Sequence, residues 1–348
     1  MDGPMTAPDD IDEAWSFDLP DHAIARHPAP ERTDARLMHL PLGGGGPHHH
    51  HVRDLPDLLA PGDLLVVNDS KVLPARLRGH RATGGKVELL VVDHHDHVVR
   101  ALARPAKKLK LGHRVALVGG AEAEVTAEAV EGIVELRLSR PAVDVMVDHG
   151  ELPLPPYLGR AEQPADRERY QTVYANEPGS AAAPTAGLHF TEALFAALDD
   201  VGVQVARVTL HVGLGTFRPL RPEDLARGRL HEEWREVPEQ TVAAIEATRA
   251  RGGRVIAVGT TSARSLESAT PEGQRVPEAV RGSTDLFLRP GYRFRTVDGL
   301  LTNFHLPGSS LLMLVAALVG RERLLSAYDT AVRDGYRFYS YGDAMLLL

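Results

Sequence analysis

Pro238-Glu-Gln-Thr-Val-Ala-Ala-Ile-Glu-Ala-Thr-Arg-Ala-Arg251 runs through Gly252-Gly253 into Arg254-Val-Ile-Ala-Val258, and then into Gly259-Thr-Thr-Ser-Ala-Arg264. The first part reads as a helix that opens at a proline and stops at two glycines. A short apolar strand follows at once, and after a Gly-Thr-Thr-Ser bend the chain enters another helix. The same alternation extends outward. Thr191 is placed to cap a helix Glu192–Val201, with Gly202 as its stop and a strand Val203–Val212 after it. Ser309 and Ser310 could cap Leu311–Val319, and a further helix, Glu322–Arg333, ends at Gly335. Alternating strands and helices imply a sheet with parallel strands and helices on its faces.

Upstream the texture differs. After the strand Leu64–Val67, short runs recur at Arg76–Arg78, Lys86–Val92, Val98–Leu102, Arg114–Leu117, Glu122–Ala127 and Ile133–Leu138, separated by turn residues. No helical pattern interrupts them until Ala142–His149, and Pro153-Leu-Pro-Pro-Tyr157 makes a stiff connection back. Such punctuation predicts a small antiparallel barrel or sandwich. The expected organisation is an α/β main domain with a mixed sheet, residues 15–74 and 151–348, carrying an inserted β-barrel domain at 75–150. Residues 1–14 read as a disordered tail, and Gly43–His51 as a flexible hairpin tip whose histidines form a mobile polar loop.

Composition narrows the function. The 348 residues are 43% hydrophobic, ample for a core, and contain no cysteine, which excludes disulfides, thiolate metal sites and iron–sulfur clusters. The longest apolar helix candidate, Leu311–Val319, is too short to span a bilayer, and the acidic N-terminus lacks the order of a signal peptide. A cytoplasmic protein is the expectation. Net charge is −8, which argues against indiscriminate coating of nucleic acid. Yet Lys71 to Arg114 holds eleven Lys or Arg against three Asp or Glu, a local +8 on a body of −16. A basic segment on an acidic body fits a docking patch for a polyanion, or a merely solvated surface.

Segments that end an apolar run with Gly or Pro and then expose a polar side chain carry the chemistry. They include Pro184-Thr-Ala-Gly-Leu-His-Phe190, Val208-Thr-Leu-His-Val-Gly-Leu-Gly-Thr-Phe217 and Thr302-Asn-Phe-His-Leu-Pro-Gly308. Gly259, Thr260, Thr261 and Ser262 offer hydroxyls and backbone N–H groups at a helix start, an anion cradle that could also be an ordinary tight turn. Arg264 would stand in the first helical turn, able to fork onto a carboxylate. Gly213, Gly215 and Thr216 form a Gly-x-Gly that lets a ligand approach the backbone, but it is neither a Walker loop nor a dinucleotide fingerprint. His189, His211 and His305 stand apart from the polar tracts; each alone could equally be a hydrogen-bonded core residue.

Together with Asp63–Leu77 and Arg337-Phe-Tyr-Ser-Tyr-Gly-Asp-Ala-Met345, these segments closely resemble the S-adenosylmethionine:tRNA ribosyltransferase-isomerases of queuosine biosynthesis, from about Phe17 to Met345. The resemblance implies the same two-part architecture. It implies S-adenosylmethionine as co-substrate without a metal, and a tRNA with 7-aminomethyl-7-deazaguanine at the wobble position as acceptor. The ribosyl group moves and rearranges to an epoxy-cyclopentane, giving epoxyqueuosine, adenine and methionine. The route begins by removing a proton from the carbon beside the sulfonium, and adenine departs better if protonated, so the site needs a base and an acid. His189, His211 and His305 are the acid–base candidates, with Asp69, Glu88, Glu232 and Asp285 as alternatives. Phe190, Phe217, Tyr339 or Tyr341 could face the sulfonium or simply pack in the core. The RNA side should use Arg76, Arg78, Arg81, Lys86, Arg104, Lys107, Lys108 and Lys110. The expected oligomeric state is a monomer. Competing readings are a non-catalytic RNA-binding module, the same chemistry on another deazapurine, and a methyltransferase, which the missing glycine fingerprint disfavours.

Overall fold

The computed structural model describes residues 14–213 and 222–348. The tail expected at 1–14 therefore lies almost wholly outside the described residues. In chain order the strands are β1 (Arg36–Leu40), β2 (His48–His51), β3 (Leu64–Asn68), β4 (Ser70–Val72), β5 (Arg76–Arg81), β6 (Lys86–His95), β7 (Val98–Arg104), β8 (Arg114–Leu117) and β9 (Glu122–Val130). They continue with β10 (Ile133–Leu138), β11 (Glu177–Ser180), β12 (Gln204–Leu210), β13 (Arg229–Val237), β14 (Val255–Val258), β15 (Val280–Leu286), β16 (Gly299–Asn303) and β17 (Ala344–Leu347).

Nine strands form one mixed sheet in the order β15-β13-β12-β3-β14-β16-β17-β1-β2. Its centre, β12-β3-β14-β16, is parallel. Strands β3, β14 and β16 are buried along their whole length, because helices cover both faces and leave no side for polar alternation. On one face Leu64, Val66, Val255, Ala257 and Leu300 pack against the helices Glu239–Ala250, Thr260–Ala269, Ser310–Val319 and Arg321–Arg333. On the other, Leu65, Val67, Ile256 and Leu301 meet the helix Glu192–Asp200 and its neighbours. Thr191 and Ser309 cap their helices as expected, accepting from Leu194 N at 3.1 Å and Leu312 N at 3.2 Å.

The expected six short strands close into a barrel, β10-β7-β6-β5-β8-β9, antiparallel throughout. Inward positions alternate along each strand, as at Val87, Leu89 and Val91 of β6 and Val134, Leu136 and Leu138 of β10, and build a core separate from that of the sheet. The helix Ala142–His149 follows β10. The tract Gly43–His51 departs from expectation in part. It is a hairpin, but His48–His51 is not a loose loop; it is β2, paired with β1 from Arg36↔His51 to His39↔His48. Extended backbone paired to a neighbour fixes side chains that composition alone reads as mobile.

Candidate functional site

Four parallel strands end at one rim of the sheet, β3 at Asn68, β12 at Leu210, β14 at Val258 and β16 at Asn303. Asn68 ties three of these ends together, and Asn303 gathers the loops beside the fourth. Asn68 accepts from Leu210 N at 3.0 Å and donates to Leu210 O at 3.0 Å and to Thr261 Oγ1 at 3.1 Å. Asn303 accepts from the Thr185 hydroxyl at 2.8 Å and donates to Tyr339 O and to His189 Nε2, both at 3.2 Å. Sequence reasoning missed both residues. The available signal was an amide closing an otherwise apolar strand, at Leu64-Leu-Val-Val-Asn68 and again at Leu300-Leu-Thr-Asn303.

The three histidines are not equivalent. His189 is buried; its Nε2 accepts from Asn303, while the ring also bonds the backbone of Arg32. Burial, then the charges of Arg337 and Arg32, lower its pKa to about 4. His305 is buried too, with Nε2 at 2.7 Å from the Thr302 hydroxyl and its backbone N–H on the Tyr328 hydroxyl at 3.0 Å. Burial lowers it to about 3. His211, just past β12, is half-buried, and its Nδ1 is shut from solvent with no hydrogen-bond partner among the described residues. The ring stacks on Trp234 of β13 at 5.0 Å between centroids. Gly179 of β11 lies against its other side, where a Cβ would come within 3.0 Å of the imidazole. Burial, and then His94 at the end of β6, lower the His211 pKa, so the ring is a neutral base at neutral pH.

Thr209 and His211 are two residues apart, at the end of β12 beside the loop that leaves β3. The Thr209 hydroxyl donates to Asp69 Oδ1 at 2.7 Å. Asp69 is buried, and burial, helped by Glu177 and opposed by that hydrogen bond, raises its pKa. A carboxyl pushed up and an imidazole pushed down thus stand at neighbouring strand ends. The other carboxylates lie elsewhere. Glu88 pairs with Arg78 at 3.2 Å, Asp285 pairs with Arg229 at 3.1 Å, and Glu232 is exposed.

The bend after β14 is more committed to the fold than its composition implies. Ser262 Oγ bonds back to Val258 O at 2.8 Å, Thr261 holds Asn68, and Thr260 is buried. The Gly259 N–H donates to Leu301 O at 2.8 Å. Arg264 is buried against Glu233 and donates from Nε to Leu286 O at 3.1 Å. Glu233 also accepts from Gly213 N at 2.8 Å, while Arg264 Nη2 is buried with no hydrogen-bond partner among the described residues. Gly215, Thr216 and Phe217 lie outside the described residues. Phe190 is core, stacked on Phe195 at 5.1 Å. Tyr339 stacks on Tyr157 at 4.5 Å, and the Tyr341 hydroxyl donates to Asp166 at 2.8 Å.

The basic residues of the barrel divide. Arg76 donates to Leu154 O at 3.3 Å, and Arg78 is bound by Glu88 and by Glu151 at 2.8 Å. Arg81 lies over Gly85, where its guanidinium would meet an added Cβ. Lys86, Arg104, Lys107, Lys108 and Lys110 are exposed; Lys110 has Glu128 at 3.9 Å. These five gather where β6 begins and β7 ends, whereas His94 sits at the other end of β6. Eight residues of strand separate Lys86 from His94, roughly 25 Å. Among the described residues no group of three or more His, Asp or Glu could hold a metal, and no helix is long and apolar enough to cross a membrane.

Comparison with known proteins bears on this geometry. A family model described as queuosine biosynthesis protein matches residues 12–347. The crystal structure of an S-adenosylmethionine tRNA ribosyltransferase from Thermotoga maritima is 35% identical, covering 96% of this chain and 100% of that one, with a TM-score of 0.57. A match that spans sheet, barrel and rim alike shows that the chain belongs to the queuosine biosynthesis protein family.

Proposed function

We propose that the protein transfers the ribosyl group of S-adenosylmethionine to 7-aminomethyl-7-deazaguanine in a tRNA anticodon loop and isomerises it, giving epoxyqueuosine, adenine and methionine. Likeness to the Thermotoga maritima enzyme across sheet and barrel supports the activity. The observation that carries the site assignment is His211, a neutral imidazole with one ring nitrogen uncommitted among the described residues, beside a carboxyl whose pKa is raised. His211 takes the proton from the carbon next to the sulfonium, whose positive charge makes that carbon acidic. Asp69, holding a proton more readily than an exposed carboxyl, supplies the acid for departing adenine. His189 and His305 hold loops at the rim rather than move protons. S-adenosylmethionine is bound near the ends of β12 and β14, and the exposed lysines of the barrel take part of the tRNA backbone. The protein works as a cytoplasmic monomer without a metal.

Incubation with S-adenosylmethionine and tRNA bearing the deazaguanine tests this. Release of adenine and methionine, with epoxyqueuosine among the digested nucleosides by mass, is the expected result. S-adenosylhomocysteine instead, or binding without turnover, would replace the reading with methyl transfer or with a non-catalytic RNA-binding role.

A further inference from the structure

A cleft opens between the turn Arg32–Asp34, the short helix Asp166–Arg169, Leu188 and the turn from Arg337 to Gly342. Among the described residues its lining holds three arginines, Arg32, Arg169 and Arg337, and no carboxylate. Two of the guanidinium groups are fixed by the backbone. Arg32 donates to Leu188 O and Glu168 O, both at 2.8 Å, and Arg169 donates to Pro30 O at 2.9 Å and Ala29 O at 2.7 Å. Arg169 Nε is buried without a partner among the described residues. Among the described residues the Arg337 guanidinium has only a long contact, 3.5 Å, to Asp343.

Of the nearby carboxylates, Glu168 bears on the charge of Arg32, while Asp343 and Asp166 are each tied by shorter hydrogen bonds than the one to Arg337. Asp343 accepts from the backbone N–H groups of Arg36 at 3.0 Å and Arg337 at 2.7 Å. Asp166 is bound by Arg160 at 2.6 and 2.8 Å and by Tyr341. The turn itself is rigid: Tyr339 is left-handed at φ 74°, and a Cβ on Gly342 would stand 2.5 Å from Arg337 O. The cleft is shallow and partly open to solvent, with about 20 Å³ of room for water.

We infer that this cleft is a docking subsite for one backbone phosphate of the substrate RNA. The inference rests on the functional reading above, with His211 at the reacting centre. Strand order puts β12 and β17 four places apart, so the cleft lies roughly 20 Å along the rim from His211. The carboxylate of a methionyl group attached to the reacting sulfonium falls far short of that. An RNA strand crossing the rim carries one negative charge per nucleotide and reaches the cleft a few nucleotides from the reacting base.

Full-length protein and tRNA bearing the deazaguanine provide the test, with RNA affinity followed by fluorescence anisotropy across salt and S-adenosylmethionine affinity by calorimetry. Arg337→Gln should weaken tRNA binding roughly tenfold and lower the salt slope by about one, with S-adenosylmethionine affinity intact. Arg337→Lys should recover part of the loss as a point charge. Arg169→Gln, measured the same way, guards against a local defect in the strained turn. Parental tRNA affinity and slope in both Gln variants would overturn the proposal. So would loss of S-adenosylmethionine with tRNA binding kept, which would give the cleft to a carboxylate. A parental protein that binds no tRNA refutes the functional reading itself, and that failure shows without any variant.

Discussion

Two buried neutral histidines should make the fold sensitive to mild acid, by an amount the structure sets. His189 and His305 titrate near 4 and 3 in the folded chain, against 6.5 for a free imidazole. Above pH 6.5 neither state binds the proton. Below it the unfolded chain takes up protons that the folded rings refuse, so stability falls as pH drops from 6.5 towards the folded values. At pH 5 each ring costs about 2 kcal/mol, and the pair about 4 kcal/mol. The figure barely depends on the folded pKa once that lies below about 4.5. It is a large share of the 5–15 kcal/mol that holds a typical domain. Asp63 and Asp166, both lowered from 3.8, lose their stabilisation only in stronger acid.

Urea unfolding at pH 8 and pH 5 measures the difference, with His305→Gln as the comparison. Glutamine cannot titrate, so the variant should lose about 2 kcal/mol less than the parent between the two pH values. An identical pH dependence, or a fold that gains stability towards pH 5, would refute the account of a neutral buried ring. The same numbers bear on chemistry. Placing a proton on His305 at pH 7 costs about 5 kcal/mol, a burden a proton shuttle would carry in every turnover.

Further outcomes follow from the other contacts. Removing Glu233 by Glu233→Ala strands the buried Arg264 charge and should cost about 3–5 kcal/mol, while Glu233→Leu with Arg264→Met should recover most of it in a denaturation cycle; losses under about 1 kcal/mol would mean that Arg264 is free for substrate. His211→Ala should abolish adenine release with tRNA binding retained, and because the His211 pKa is lowered, the acid limb of the parental pH–rate profile should lie below 6.5; release at the parental rate would remove it as the base. Reversing charge at Lys107, Lys108 and Lys110 together should weaken tRNA binding and flatten its salt dependence, sparing S-adenosylmethionine; an unchanged slope would take the tip of the barrel out of RNA binding.

What the sequence reveals depends on whether the signal is local. The alternation around Val255–Val258, the caps at Thr191 and Ser309 and the turn-punctuated barrel strands are encoded within a few residues, and the structure has them. Strands β13 and β15 escape such a reading. Arg229–Val237 carries five charged residues, and only pairing with β12 and β15 makes it a strand. Arg264 shows the same limit at the site. A helix-start arginine after hydroxyl residues looks like a substrate fork, but Glu233, 31 residues away in sequence, closes on it. Asn68 and Asn303 reach partners up to 193 residues away, which no spacing rule can anticipate.

Distances across the molecule constrain how one RNA could serve all these surfaces. The exposed lysines stand roughly 25 Å from His94 along β6, and the arginine cleft roughly 20 Å from His211 along the rim. His94 lies close enough to His211 to bear on its charge, so a reacting centre at His211, as proposed above, would lie under neither basic feature. A base held only by its own pocket would need neither. A folded RNA needs both, because phosphate contacts fix orientation while the pocket reads a single extruded base. With the reacting base at His211, one strand would pass over the rim to Arg337 while a more distant part of the backbone met the barrel tip. Losing either contact should therefore raise KM for tRNA more than it lowers kcat, whereas losing His211 should do the reverse.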